Sequence, residues 1–316
     1  MPLTGFLFPG QGSQQAGMGR ELLEDAELAE LAERCGAEAG IDLRHLLVEA
    51  DDEELTLTQN AQPALVFTGV ALVRLLARRG IEATAAAGHS VGEYSALAAL
   101  GALAPEQAVK TVVERGRAMA AASPPGQSSM IAVLGIGPEP IAEALTGMDG
   151  IWPANYNTPT QTVVGGTVAA LEEATPRLLE AGARRVLPLR VAAAFHTPLV
   201  AAAGARLRLT LDALEWTLPR APVVANVDAE AYQDATLIAA RLEQQLSSPV
   251  RWSDCVRRLA DLGCENFIEV GPKRALSGMI RELLPGRQAS SVGTPSAVAS
   301  QQSVQSDESA AGRLLQ

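Results

Sequence analysis

The chain has 316 residues, 47% of them hydrophobic and 19% charged, with a formal net charge of −11. That length holds one large domain, or a large one with a smaller companion, in a compact globular protein. The acidic balance excludes a nucleic-acid surface, which needs a basic footprint.

Cys35, Cys255 and Cys264 make no C-x-x-C pair, so neither a disulfide framework nor a zinc site is expected. The segment Met1-Pro2-Leu3-Thr4-Gly5-Phe6-Leu7-Phe8 lacks the basic start and long apolar core of a signal peptide. No uncharged apolar run reaches membrane-spanning length. A cytoplasmic protein with no membrane partner is therefore expected.

Phe6-Leu7-Phe8 reads as a short buried strand, stopped by the loop Pro9-Gly10-Gln11-Gly12-Ser13-Gln14. In an open α/β sheet ligands gather at the carboxyl ends of strands, which places this loop to line a site. It is not a G-x-G-x-x-G fingerprint, and no P-loop lysine follows it. Apolar residues at helical spacing predict helix within 20–50 and again from Gln62-Pro63 to Arg79, with Asp51-Asp52-Glu53-Glu54 as a solvated turn between them.

Next come Ala85-Ala86-Ala87-Gly88-His89-Ser90-Val91-Gly92 and a pattern rich in Ala and Leu: a strand, a tight turn and a helix. The Gly-x-Ser-x-Gly frame suits a nucleophile elbow, in which the glycines admit a close approach of strand and helix. The serine oxygen then stands exposed at a helix N-terminus. The main-chain N–H of Val91 would face an oxyanion formed on a carbonyl attacked by Ser90. A further helix starts at Pro105, suited to a first turn, and runs to Met119.

Ser123 to Ser129 reads as an internal linker. Beyond it, strands at 130–134, 151–155, 162–164 and 185–189 alternate with helices at 138–145 and 169–181. That β-α-β-β-α-β order is the ferredoxin-like split arrangement. Residues 127–190 are therefore expected to form a small domain inserted into a larger one made of 1–126 and 191–284. The larger domain resumes with helix 198–214, strand 222–227, helices 234–246 and 252–262, strand 266–270 and a last helix to about Leu284. Residues 285–316, rich in Ser, Gln, Ala and Gly without periodicity, are expected to be a disordered tail or linker. The fold expected is α/β, an α/β-hydrolase-like large domain carrying the ferredoxin-like insertion.

A serine nucleophile needs a base, and the chain has three histidines. His89 adjoins Ser90, and neighbouring side chains at an elbow diverge. His45 lies in an early helical segment and reads as a surface residue. His196, in Ala193-Ala194-Phe195-His196-Thr197-Pro198, falls where the small domain gives way to a new helix, a plausible cleft. It is the candidate base. For its orienting partner, Asp228 and Asp254 lack a diagnostic context, and a backbone carbonyl would fix the tautomer equally well.

Placed together, Phe8-Pro9-Gly10-Gln11-Gly12-Ser13-Gln14, the stretch Gly88 to Leu97, and Phe195-His196 resemble the malonyl-CoA:acyl-carrier-protein transacylases, whose relatives include the acyltransferase domains of polyketide synthases. The likeness spans about residues 3–284. Further matches are Gln59-x-x-Gln62-Pro63-Ala64, Arg115-Gly116, Asn155-Tyr156-Asn157-Thr158-Pro159, Asn226-Val227-Asp228, Pro249-Val250-x-Trp252 and Glu269-Val270-Gly271-Pro272.

The resemblance implies Ser90 as nucleophile and His196 as general base, then acid, with the main-chain N–H groups of Gln11 and Val91 as oxyanion hole. It implies that Gln245 orients His196 through its carbonyl, and that Phe195 and His89 belong to the substrate-binding residues. Arg115, which from its helix alone reads as a surface arginine, would clamp the malonyl carboxylate with its planar fork. The reaction implied is ping-pong exchange from malonyl-CoA to the phosphopantetheine thiol of an acyl carrier protein, with no metal or redox cofactor, by a monomer. Phe195 resembles the malonyl-selecting version of its segment, where a missing methyl-sized pocket discriminates by roughly 1–3 kcal/mol. Ala192-Ala193-Ala194 is plainer than the Ser-containing versions of housekeeping enzymes, which points to a dedicated acyltransferase serving a polyketide assembly line in trans.

Two other readings use the same residues. An acyl-thioester hydrolase would let water resolve the acyl-enzyme, and Arg115 counts against it. A non-catalytic docking module would only bind carrier protein, and the joint presence of Ser90, His196, both elbow glycines and Arg115 counts against that. Lys273-Arg274 and Arg184-Arg185 are candidate contacts for an acidic carrier protein.

Overall fold

The computed structural model describes residues 3–122 and 126–301. Residues 123–125 of the expected linker and 302–316 of the expected tail lie outside the described residues.

In chain order the elements are β1 (Thr4–Phe8), α1 (Ala26–Ala39), α2 (Leu43–Val48), α3 (Thr58–Arg78), β2 (Ala85–Gly88), α4 (Gly92–Ala99) and α5 (Pro105–Ala121). Then come β3 (Ser128–Leu134), α6 (Pro138–Ala144), β4 (Ile151–Thr158), β5 (Gln161–Thr167), α7 (Val168–Glu180) and β6 (Arg185–Pro188). The chain continues through α8 (Ala201–Asp212), β7 (Val223–Val224), α9 (Ile238–Ser247), α10 (Trp252–Asp261), β8 (Asn266–Val270), α11 (Ala275–Leu283), β9 (Gln288–Val292) and α12 (Pro295–Ser300).

Two sheets result, one parallel and one antiparallel, in a mixed α/β fold. The parallel sheet has the order β7-β2-β1-β8-β9. Successive side chains on a strand point to opposite faces. On β1, Phe6 and Phe8 join one core and Leu7 another, and β2 divides Ala86 from Ala85 and Ala87 in the same way. Both faces are covered by helices, which is why these strands read as unbroken apolar runs.

The antiparallel sheet has the order β4-β5-β3-β6, with β3 between β5 and β6. Its period-2 alternation has a functional consequence. Ile131 and Val133 turn to α6 and α7, packing with Ile141, Leu171 and Leu178. Met130, Ala132 and Val163 turn the other way, into the core of the parallel sheet's unit. The antiparallel sheet thereby presents one face to the carboxyl ends of β1 and β2. Main-chain bonds Tyr156 N to Val250 O (2.9 Å) and Val250 N to Ala154 O (2.9 Å) tie it to the loop before α10.

Three expectations change. The helix expected from Gln62-Pro63 begins a turn earlier, at Thr58, because that turn is packed against α5, where a Cβ on Gly116 would lie 2.6 Å from Gln59 Cα. The strand expected at 222–227 shortens to Val223–Val224; Ala225 N bonds to Glu230 O at 3.0 Å, and the intervening turn swings Asn226 toward Ser90. Disorder from residue 285 is corrected over 285–301: β9 pairs in register with β8 from Asn266↔Gln288 to Val270↔Val292, and Val292 and Val298 are buried. An edge strand is held by main-chain pairing, which the Ser-rich composition of Gln288–Val292 does not advertise.

Helix α3 is long and apolar enough to cross a membrane by length and composition, but its residues lie mostly in the core.

Candidate active site

The site grows from the turn between β2 and α4. A Cβ on Gly88 would fall 1.9 Å from the carbonyl carbon of Gly92, and one on Gly92 would fall 2.1 Å from Phe8 O. Only glycine fits at both places, as the Gly-x-Ser-x-Gly frame anticipates. Ser90 between them sits at φ 55°, a left-handed conformation costing a non-glycine residue about 1–3 kcal/mol. Asn226 offsets that cost by clasping the turn: its Oδ1 accepts from Ser90 N at 2.8 Å and its Nδ2 donates to Gly88 O at 2.7 Å.

His196 is likewise left-handed, at φ 61°, and its main-chain N–H donates to Leu246 O at 3.0 Å. Its Nδ1–H donates to the main-chain carbonyl of Gln245 at 2.7 Å. That bond leaves Nε2 as an acceptor, 2.8 Å from Ser90 Oγ. Burial, and next the positive charge of Arg115, push its pKa down to about 3, so the imidazole is a neutral base. The orienting partner is thus the carbonyl and not an acid. Asp228 pairs with Arg241 at 2.9 Å, and Asp254 with Arg251 and Arg257. The other histidines are settled too. His45 faces solvent between Glu49 and Glu54. His89 turns away from Ser90, its Nε2 lying 3.0 Å from Asn157 Oδ1 on β4 and its ring 5.5 Å from that of Trp252. Burial lowers its pKa.

Arg115 corrects the surface reading of its helix. The close approach of α5 to α3 at Gly116 turns this face of α5 inward, and the residue is 0% exposed. Its Nη1 donates to Gln62 Oε1 at 2.9 Å; its Nη2 donates to Gln245 Oε1 at 2.9 Å and to Ser90 Oγ at 3.1 Å. The Tyr94 ring lies 5.5 Å from the guanidinium carbon. Every one of those hydrogen-bond acceptors is neutral, and among the described residues no carboxylate lies within ion-pair distance. Burial lowers the pKa of the group, yet guanidinium stays protonated. A buried cation with no resident counter-ion has the chemistry to accept an anion.

These groups open on a cavity of about 280 Å³ between the two sheets. Gln11, Ser90, Arg115 and His196 form its floor, and Phe195, 5% exposed, stands beside the histidine. Met130, Ala132 and Val163 of the antiparallel sheet supply an apolar wall. Gln11 is held by its Nε2, which donates to Thr58 Oγ1 at 3.2 Å, and the loop is tightened by Ser13 Oγ donating to Gly10 O at 2.6 Å. Among the described residues, no acceptor takes up the main-chain N–H of Gln11 or of Val91.

Gln245 is the junction. It orients His196 with its main-chain carbonyl and accepts from Arg115 with its side chain. Three other members of the site had no role in the sequence reading. Gln62 and Asn226 lie in motifs, and Glu93 was available as the one acidic residue in a short helix otherwise small or apolar. Burial pushes the Glu93 pKa up to about 7. Lys273, Arg274, Arg184 and Arg185 are all exposed, and Lys273 Nζ donates to Gly12 O at 3.2 Å. Among the described residues no cluster of His, Cys, Asp or Glu could hold a metal.

Comparison with known proteins bears on this geometry. The acyl transferase domain family matches residues 5–305. The chain is 40% identical over 288 residues to the malonyl CoA-acyl carrier protein transacylase of Bacillus subtilis (strain 168), covering 90% of this chain and 91% of that one. It is 38% identical over 302 residues to the enzyme of the same name from Escherichia coli (strain K12), covering 93% and 97%. Among solved structures, an acyl carrier protein S-malonyltransferase from Vibrio cholerae superposes with a TM-score of 0.89 at 37% identity, covering 94% of this chain and 98% of that one. A malonyl-transacylase in complex with its type II PKS acyl-carrier protein has a TM-score of 0.89 at 33% identity and the same coverage, 94% and 98%.

Proposed function

The chain belongs to the acyl transferase domain family, and we propose that it moves a malonyl group from coenzyme A to the phosphopantetheine thiol of an acyl carrier protein, in fatty acid or polyketide biosynthesis. One observation carries the acyl choice: the buried Arg115 guanidinium points into the cavity beside Ser90 with only neutral partners. A malonyl carboxylate supplies the missing charge, held by two parallel N–H donors.

The reaction is ping-pong. His196 Nε2 takes the Ser90 proton as Oγ attacks the thioester carbonyl. The oxyanion meets the N–H groups of Gln11 and Val91. As it collapses, the imidazolium returns its proton to the departing thiolate of coenzyme A, and malonyl-Ser90 remains. The carrier thiol then gives its proton to His196, attacks the ester, and leaves as the malonyl thioester with Ser90 re-protonated. Exchange of one thioester for another balances without a metal or redox cofactor. We read the chain as a cytoplasmic monomer. The orders β7-β2-β1-β8-β9 and β4-β5-β3-β6 support an α/β-hydrolase-like unit with a ferredoxin-like insertion near 127–190.

Intact-protein mass spectrometry after brief mixing with malonyl-CoA tests the proposal. A malonyl adduct absent from Ser90→Ala and discharged by holo carrier protein is expected. An adduct that vanishes as fast in buffer alone identifies a hydrolase, and no adduct with any acyl-CoA refutes transfer.

A further inference from the structure

Glu93 lies on the first turn of α4, three residues beyond Ser90, and is 1% exposed. No cation meets it among the described residues; every contact to its carboxylate comes from a neutral donor. Oε2 accepts from Gln245 Nε2 at 2.7 Å and from Asn226 N at 3.0 Å, and Oε1 accepts from the Tyr232 hydroxyl. A charge buried this way needs several donors to persist. Those it gathers come from separate parts of the chain: α9, the turn after β7, and the segment leading to α9.

The consequence is an orientation. An amide side chain can face either way, but Glu93 Oε2, held as an acceptor by the main-chain N–H of Asn226, only accepts and a guanidinium only donates. Glu93 on one side of Gln245 therefore demands the NH2 group, and Arg115 on the other demands the carbonyl. With Gln245 Nε2 also donating to Ser90 O at 3.0 Å, the residue is pinned at both ends while its main-chain carbonyl holds His196. Asn226, fixed by the same oxygen of Glu93, clasps the Ser90 turn.

We propose that Glu93 is a positioning residue for the transfer site: through Gln245 and Asn226 it sets the aim of Arg115 on the acyl carboxylate. The inference rests on the transfer reading above. Glu93 touches no reacting atom. Its Oε2 holds the Gln245 amide with the carbonyl toward Arg115, and the guanidinium keeps a free face for substrate.

Two conservative variants separate reach from charge. Glu93→Asp keeps the charge but withdraws it by one methylene, breaking the contact with Gln245. Glu93→Gln loses the charge but keeps an acceptor oxygen at the same reach, with its NH2 turned to Tyr232. The readout is the ratio of Ser90 acylation rates with malonyl-CoA and with acetyl-CoA, which has no carboxylate to aim. In Glu93→Asp the ratio is expected to fall about ten- to a hundredfold, the cost of roughly an ångström of misplacement. In Glu93→Gln it is expected to stay within about threefold of the unsubstituted chain. A loss of equal size with both acyl donors, a Glu93→Asp ratio that does not move, or a Glu93→Gln ratio that falls as far as that of Glu93→Asp would overturn the assignment. Failure of the unsubstituted chain to take malonyl at all is a separate result, and it counts against the transfer reading.

Discussion

Arg115 is the residue whose removal discriminates most sharply. In Arg115→Ala the cavity loses its cation, and Ser90 Oγ, Gln62 and Gln245 each lose a donor. A carboxylate and a guanidinium about 4 Å apart interact by about 4 kcal/mol at an effective dielectric of about 20. Truncating one partner of a buried, hydrogen-bonded charge pair costs about 2–5 kcal/mol. At about 1.4 kcal/mol per factor of ten, malonyl kcat/KM should fall by roughly thirtyfold to several thousandfold. Acetyl-CoA forms no such pair, so its rate should fall by less than the malonyl rate, only through the donors that Ser90, Gln62 and Gln245 lose. Arg115→Lys keeps a point charge without the fork and should fall between the two. Quenched-flow mixing with each acyl-CoA, read by intact mass, gives both rates. Equal losses with both donors would refute the carboxylate-receptor reading and leave Arg115 as a structural prop for the elbow.

Phe195 narrows the space beside His196, so Phe195→Leu should raise the methylmalonyl-to-malonyl rate ratio by roughly tenfold or more, within the about 1–3 kcal/mol that a methyl-sized pocket commands. An unchanged ratio would place selection elsewhere in the cavity. Stability should depend on His196 in a defined window. The unfolded chain protonates this side chain below its ordinary value of 6.5, whereas the folded chain does so only near 3. Its depressed pKa contributes stability that is whole above pH 6.5 and drains away as pH falls toward 3, at up to about 1.4 kcal/mol per pH unit. Between pH 6.5 and 4.5 the unsubstituted chain should therefore lose more Tm than His196→Gln, and parallel losses would contradict a buried neutral imidazole.

Much of this site was legible in the sequence because its chemistry is local. Gly88 is demanded by a 1.9 Å contact with Gly92 inside one strand–turn–helix unit, and Gly92 by a 2.1 Å contact with Phe8 O on the neighbouring strand β1, yet the five adjacent residues 88–92 already announce the elbow. With three histidines in the chain, elimination reached His196, and motifs in family order supplied Gln11, Arg115 and the Gln245 carbonyl. The apolar run Met130–Leu134 marked a strand, and the order of strands and helices read over 130–189 matches the βαββαβ order of the elements from β3 to β6.

What stayed hidden depends on partners distant in sequence. A helical wheel cannot show that Arg115 faces inward, because its burial comes from α3 packing against Gly116. Glu93 and Asn226, 133 positions apart, meet only when the turn after β7 swings back. The edge strand β9 has no apolar alternation to reveal it, since its order comes from the main-chain groups of β8. The sequence by itself determined the turn that strains the serine and singled out Ser90 and His196 as candidates, each a matter of residue type and neighbouring backbone. Only the tertiary structure decided that the Arg115 cation is buried without a counter-ion. Only there, too, does a carboxylate reach that cation through one amide, because hydrogen bonds and desolvation are fixed by what folding brings within 3 Å.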